Sequence, residues 1–116
     1  MKNNNKDILK ISSNVEIQQE RIVYLKAISN YTYIHNIDNY FIMSKTLKMI
    51  SSKVNNGYFL KIRRGLLVNV VHISRVIIDK PFSFIQLENG KVFQISRRSY
   101  LEVSQKLSHL IPQILD

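Results

Sequence analysis

Two pairs of adjacent arginines, Arg63-Arg64 and Arg97-Arg98, carry the side chains in this sequence that are best suited to a defined chemistry. A guanidinium group donates two parallel hydrogen bonds to a phosphate, or to O6 and N7 of guanine in the major groove. The first pair lies between apolar segments and precedes Gly65, which predicts a strand that ends in a bend. Within that strand, alternation places Lys61 and Arg63 on one face, and Ile62 and Arg64 on the other. The alternative is a solvated basic edge that deters aggregation.

The second pair comes directly before a helical pattern, with Ser96 as the predicted N-cap. Cations in the first turn of a helix oppose its macrodipole, and such violations of a local rule gather at functional sites. A helix N-terminus also presents free N–H groups to an anion. The alternative is an ion pair between Arg98 and Glu102, four residues apart, worth about 0.2–0.5 kcal/mol.

Positive charge is concentrated around the first arginine pair. Residues 39–78 contain seven Lys or Arg and no Asp or Glu, which leaves 10 basic against 8 acidic residues in the rest of the chain. The seven are Lys45, Lys48, Lys53, Lys61, Arg63, Arg64 and Arg75. With a net charge of +9 and a pI near 9.9, the chain favours a nucleic acid or another acidic surface as its partner.

Length and composition predict one domain. The 116 residues, 45% of them hydrophobic, suffice for one core and are too few for two ordinary ones. We expect a disordered lead at 1–7, a single domain at 8–111 and a tail at 112–116. The absence of cysteine and of any apolar signal or membrane-spanning run favours a cytoplasmic protein.

The pattern of apolar residues predicts a mostly β fold. Short runs of β-branched and aromatic residues alternate with Asn, Asp, Ser and Gly, which is typical of strands and tight turns. Helical spacing predicts a short helix near 45–54, capped by Ser44 or Thr46, and a C-terminal helix near 97–111. Asn89-Gly90 predicts a two-residue hairpin turn with positive φ at both positions.

Enzyme chemistry has no visible basis in the sequence. The three histidines are far apart, no nucleophile–base grouping or phosphate-binding glycine loop occurs, and cysteine is absent. We therefore expect no catalytic residue, metal, cofactor or small-molecule substrate. The tyrosines and phenylalanines lie mostly within apolar runs, where packing is their expected role.

A series of short strings resembles a known family in order and spacing. The strings are Ile22-Val23-Tyr24-Leu25-Lys26-Ala27, Ser29-Asn30-Tyr31-Thr32, Ser44-Lys45-Thr46-Leu47, Phe59-Leu60-Lys61-Ile62-Arg63-Arg64, Leu67-Val68-Asn69, Asn89-Gly90 and Ile95-Ser96-Arg97-Arg98. Over roughly Ile8 to Leu110 the sequence resembles the LytTR family of bacterial transcription-regulator DNA-binding domains. The resemblance implies an elongated fold of about ten short strands in small stacked sheets. It also implies that loops enter successive major grooves of double-stranded DNA, with the intervening minor groove facing the protein.

The resemblance also implies roles for individual residues. Asn30, Tyr31 and Thr32 lie in the loop after the third strand, and Thr32 is the expected base contact there. Arg64 and Arg98 are the other expected base readers, and the expected phosphate contacts are Lys45, Arg63, Ser96 and Arg97. The string Ile62-Arg63-Arg64-Gly65 departs from the Ile-His-Arg-Ser or Ile-His-Lys-Ser common in the family, so the operator sequence does not carry over.

Several interpretations remain open from sequence alone. Two copies are expected on tandem or inverted promoter repeats. Many members of the family carry a receiver domain whose pattern this sequence lacks, so the chain is either a stand-alone regulator or a fragment. An RNA-binding module and a basic protein-interaction domain without sequence-specific DNA binding are the alternative functions.

Overall fold

A computed structural model describes residues 7–109, which form ten strands and two helices. The strands are β1 (Ile8–Ser12), β2 (Val15–Gln18), β3 (Ile22–Ile28), β4 (Tyr31–Asn36), β5 (Tyr40–Met43), β6 (Phe59–Arg63), β7 (Leu66–Asn69), β8 (Ile73–Asp79), β9 (Phe82–Leu87) and β10 (Val92–Gln94). The helices are α1 (Leu47–Ser51) and α2 (Arg97–Lys106). This confirms the mostly β prediction. The predicted tail, positions 1–6 of the predicted lead and the end of the predicted C-terminal helix at 110–111 lie outside the described residues.

The strands form three antiparallel sheets. Strands β1 and β2 pair alone, the central sheet has the order β5-β4-β3-β7-β6, and the third sheet has the order β10-β9-β8. Small stacked sheets are therefore what the sequence encodes.

The central sheet is buried on both faces along β3, because neighbouring side chains of this strand enter different hydrophobic clusters. Tyr24 packs with Leu60, Ile85 and Val103, which brings the three-stranded sheet and α2 onto one face. Leu25 packs in the other cluster, to which β1, β2 and α1 contribute their buried residues. Alternation along a strand explains the split.

Both helices are shorter than their sequence patterns predict. The hydroxyl of Thr46 accepts the Met49 N–H at 3.3 Å, so α1 begins at Leu47 rather than near position 45. Helix α2 begins at Arg97, as predicted, with the Ser96 hydroxyl accepting the Ser99 N–H at 3.1 Å. It ends at Lys106, because the next residue has φ −107° and ψ 24° and leaves the helical region.

The β9–β10 hairpin differs from the predicted two-residue turn. The N–H of Gly90 donates to the carbonyl of Leu87 at 2.9 Å, and the N–H of Leu87 donates to the carbonyl of Lys91 at 2.8 Å. Gly90 has φ +92°, whereas Ser29 is the one non-glycine residue with positive φ among residues 7–109. The prediction of positive φ at Asn89 was therefore wrong. The connection is a turn closed by a left-handed glycine, the common three-residue hairpin geometry.

Candidate nucleic-acid interface

Hydrogen bonds join four connecting segments at one end of the central sheet. The N–H of Ala27 near the end of β3 donates to the carbonyl of Gly65 in the β6–β7 turn at 2.9 Å. The hydroxyl of Thr32 at the start of β4 donates to the carbonyl of Lys45 after β5 at 2.7 Å. The N–H of Ser96, which caps α2, donates to the carbonyl of Ile62 at 3.1 Å. The predicted site residues, distant in sequence, are thereby held on neighbouring segments.

Arg64 and Arg98, the two arginines expected to read bases, line one cleft. Its volume is about 520 Å³, and its lining also includes Lys61, Ser96 and Glu102. Both guanidinium groups are on exposed residues. Within residues 7–109 neither arginine forms an ion pair or a side-chain hydrogen bond, and the alternative Arg98–Glu102 pair does not form. Both groups are free to bind a ligand from solution.

A second cleft lies beside Arg64 and adds Lys48, which, like Lys61, is not among the predicted site residues. Its volume is about 500 Å³, and Ser29, Lys48, Lys61 and Arg64 are among its lining residues. Arg64 borders both clefts and so lies between them. The sequence did contain a signal for Lys48 and Lys61, since both belong to the acid-free stretch at 39–78.

A bulge in β6 lies between Lys61 and Arg63, just before the end of the strand. The pairing of β6 with β7 shifts between Lys61 and Arg63, so simple alternation does not apply to the end of the strand. The expected face-sharing of Lys61 with Arg63 was therefore wrong, and Lys61 lines both clefts together with Arg64. Arg63 is half-buried instead.

The guanidinium of Arg63 contacts the third sheet. One nitrogen donates to the carbonyl of Gln94 at 3.4 Å, and the carbon of the group lies 5.6 Å from the centre of the Phe93 ring. These contacts attach β6 to β10 through a hydrogen bond and a cation–π interaction. The geometry favours a structural role for Arg63 over the expected phosphate contact.

The second arginine pair is split by the geometry of α2. Successive residues of a helix are about 100° apart around its axis, so neighbouring side chains leave in different directions. Arg98 lines the cleft of Arg64, whereas Arg97 lines a separate cleft next to the β8–β9 hairpin. Arg97 thus lines a different cleft from its neighbours Ser96 and Arg98.

The β3–β4 hairpin exposes two of its three predicted contacts. Asn30 and Tyr31 are exposed, the latter by 49%, whereas Thr32 is completely buried. Because the Thr32 hydroxyl is committed to the carbonyl of Lys45, the expected base contact by this side chain has no accessible surface. Ser29 turns the hairpin with φ +56°, the sign that a type II′ turn requires at its first central position.

The charge at this end of the sheet is not neutralised. Lys45 is exposed, and no ion pair involves it among the described residues. In the described part of the chain, the ion pair Arg21–Asp38 and the contact of His72 with Glu88 involve none of the predicted site residues. Ser96 uses its hydroxyl oxygen for the cap and retains the proton as a donor. The loops therefore present cationic and neutral donors, the groups that bind phosphates and base edges.

Other kinds of site receive no support from residues 7–109. No group of three or more His, Asp or Glu side chains is placed to hold a metal ion. None of the helices in this range has the length and apolar character needed to cross a membrane.

A mostly β domain with unpaired cations on neighbouring segments has the features expected of a nucleic-acid-binding domain. The sequence profile of the LytTr DNA-binding domain matches residues 12–108. The chain therefore belongs to the LytTR family of DNA-binding domains. This confirms the resemblance seen in the sequence.

A solved structure shows the same fold. The LytTr DNA-binding domain of a Bacillus cereus protein described as a methyl-accepting/DNA response regulator superimposes with a TM-score of 0.75. The alignment covers 87% of this chain and 96% of that domain, at 17% sequence identity. No curated protein is significantly similar in sequence.

Proposed function

We propose that this domain binds double-stranded DNA sequence-specifically in bacterial transcription regulation, with its loops entering successive major grooves. One observation carries the proposal: Arg64 and Arg98, on different elements, line one cleft and have no partner among residues 7–109. Two guanidinium groups in such a cleft suit bidentate contacts to guanine edges. The proposed domain spans 8–111, and the cytoplasm is the proposed location.

The roles proposed for the site residues follow their exposure. Arg64 and Arg98 read bases, and exposed Asn30 and Tyr31 form the contact of the β3–β4 hairpin. Lys45 binds phosphate. Lys48 and Lys61 also bind phosphate, because Lys48 shares a cleft with Arg64 and Lys61 shares clefts with both arginines. The Ser96 hydroxyl donates to a phosphate. A phosphate beside it also approaches the N-terminus of α2, whose dipole favours an anion.

Thr32 and Arg63 receive positioning roles in place of the DNA contacts expected from the family. Thr32 holds the backbone of Lys45, and Arg63 holds β6 against β10. Arg97 has no assigned part in this interface, because it lines a different cleft from Arg98.

Selection of duplexes from a random pool tests the proposed function. We expect enrichment of a sequence that occurs as a spaced repeat, with two protein copies bound per selected duplex. A competition assay compares the concentrations at which single-stranded or folded RNA and competitor duplex DNA displace the selected duplex. Displacement by RNA at the lower concentration would instead support the RNA-binding alternative. A pool that gains no sequence preference over repeated rounds would contradict sequence-specific binding.

A further inference from the structure

A third cleft lies between the tip of the β8–β9 hairpin and the first turn of α2. Its volume is about 310 Å³, at the lower end of the range usual for small-molecule sites. Arg97 and Tyr100, three residues apart, share the helix face that borders the cleft, whereas Arg98 borders the cleft shared with Arg64. The cleft is therefore a separate structural unit from the proposed DNA-reading surface.

Apolar side chains make up much of the cleft wall. Ile78 is half-buried and packs onto the core cluster beneath, which gives the cleft a fixed apolar wall. Phe82 and Tyr100 are exposed by 51% and 36%, although both carry large rings. An apolar body lying between these rings would remove their faces from water, which is favourable.

Two cations accompany these apolar residues. Lys80 and Arg97 both line the cleft and are exposed. In the described part of the chain, neither forms an ion pair or a side-chain hydrogen bond. The lining contains no acidic residue, and Asp79, next to Lys80 in sequence, is not part of it. The charge that complements the cleft is therefore negative.

We propose that this cleft binds a small amphipathic carboxylate. The carboxylate accepts hydrogen bonds from Arg97 and Lys80, and the apolar body packs against Ile78, Phe82 and Tyr100. A guanidinium suits this purpose because its planar donor pair matches the two carboxylate oxygens. The site does not depend on the proposed DNA contacts, since Arg98 and Arg64 take no part in it.

A titration of the full chain with naphthoate, followed by backbone amide NMR, tests the proposal. We expect saturable shifts confined to residues 78–83 and 94–100. Naphthalenemethanol, which has the same rings without the charge, should bind at least about tenfold more weakly. Arg97→Ala and Lys80→Ala should each lower the affinity for naphthoate by about tenfold. The matched variant Arg98→Ala should keep that affinity within about twofold of wild type.

Three results would overturn the proposal. The first is an equal loss with Arg98→Ala, or shifts spread across the basic surface, which would indicate non-specific anion binding. The second is equal binding of naphthalenemethanol, which would leave the cations without a role. The third is unchanged naphthoate affinity in Arg97→Ala and Lys80→Ala. If these variants also lost as much duplex affinity as Arg98→Ala does, the cleft would be assigned to DNA phosphates.

Discussion

The hydroxyl of Thr32 donates a 2.7 Å hydrogen bond to the backbone carbonyl of Lys45. The bond joins the start of β4 to the segment after β5, next to the position where Thr32 pairs with Met43. It makes the position of an exposed lysine depend on a side chain that is itself fully buried.

Thr32→Val removes this bond while keeping the shape of the side chain. We expect the free energy of unfolding to fall by about 1–3 kcal/mol, because the carbonyl loses its donor in a partly buried place. Duplex affinity should also fall at a temperature where the variant is folded, since Lys45 is no longer held. Denaturant unfolding and fluorescence anisotropy measure the two effects. Thr32→Ser, which keeps the hydroxyl, is the control, and full affinity in Thr32→Val would contradict the positioning role.

Arg64→Ala and Arg98→Ala test base reading. Each should cost about 1–3 kcal/mol on the selected duplex and much less on random duplex, because a bidentate guanine contact is lost. Arg75→Ala is the matched control, since Arg75 belongs to the same acid-free stretch but donates to Gln86 on the third sheet. Equal losses on both duplexes would reassign Arg64 and Arg98 to phosphate contacts.

Lys45→Ala tests the electrostatic part of binding. The logarithm of the association constant should fall linearly with the logarithm of salt concentration, with a slope of about −0.9 for each neutralised phosphate. The variant should flatten this slope by about one unit, because one phosphate contact is removed. Anisotropy titrations at four or more salt concentrations give the slope. A wild-type affinity that does not change with salt would eliminate the polyanion interpretation.

Gly65→Ala tests the bend that exposes Arg64. Gly65 has φ +79°, and an added Cβ would meet the Cβ of Ala27 at 3.6 Å, which is an ordinary contact. The expected loss of about 1–2 kcal/mol in unfolding free energy therefore comes from backbone strain rather than from a clash. Gly57→Ala, at a glycine without positive φ, should cost less, because its added Cβ would meet only the exposed side chain of Asn55, with Oδ1 at 3.1 Å. Equal unfolding midpoints for Gly65→Ala and wild type would show that the positive φ of Gly65 does not require glycine.

His35 makes stability depend on pH. Burial, followed by the charges of Lys91 and Lys26, lowers the pKa of its imidazole from the usual 6.5, and its ring stacks on Tyr24 at 4.1 Å. As the pH falls below 6.5 the unfolded chain takes up a proton that the folded chain resists, so the folded state loses stability. Well above that pH the residue is neutral in both states and contributes no pH dependence.

The measurement compares unfolding free energies of wild type and His35→Phe between about pH 7.5 and 5.5. The phenylalanine keeps a ring on Tyr24 but cannot be protonated. The unfolding free energy of the variant should therefore fall less over this pH range than that of wild type. Equal pH dependence in the two proteins would show that His35 is not responsible.

Local signals were sufficient to predict the elements of the fold. Runs of β-branched and aromatic residues predicted the strands, and the Ser96 cap predicted where α2 begins. The LytTR resemblance selected Arg64 and Arg98, and the fold places both on one cleft. Their contact with DNA stays a prediction.

The directions in which individual side chains point could not be predicted in the same way. The bulge in β6 turns Arg63 toward β10, and a one-residue irregularity of this kind leaves no mark in the sequence pattern. Thr32 is a polar residue that would be expected at the surface of a hairpin, yet its hydroxyl finds a backbone acceptor 13 positions away. The separation of Arg97 from Arg98 depends on which neighbours α2 packs against, and these are distant in sequence.

The hydrogen bonds that hold separate segments at one end of the central sheet have a consequence for engineering. Asn30, Arg64 and Arg98 are exposed and belong to neither hydrophobic cluster. They can therefore be randomised together without disturbing the residues that stabilise the fold. The domain is accordingly a scaffold on which a combinatorial library at these three positions could be built to recognise new operators.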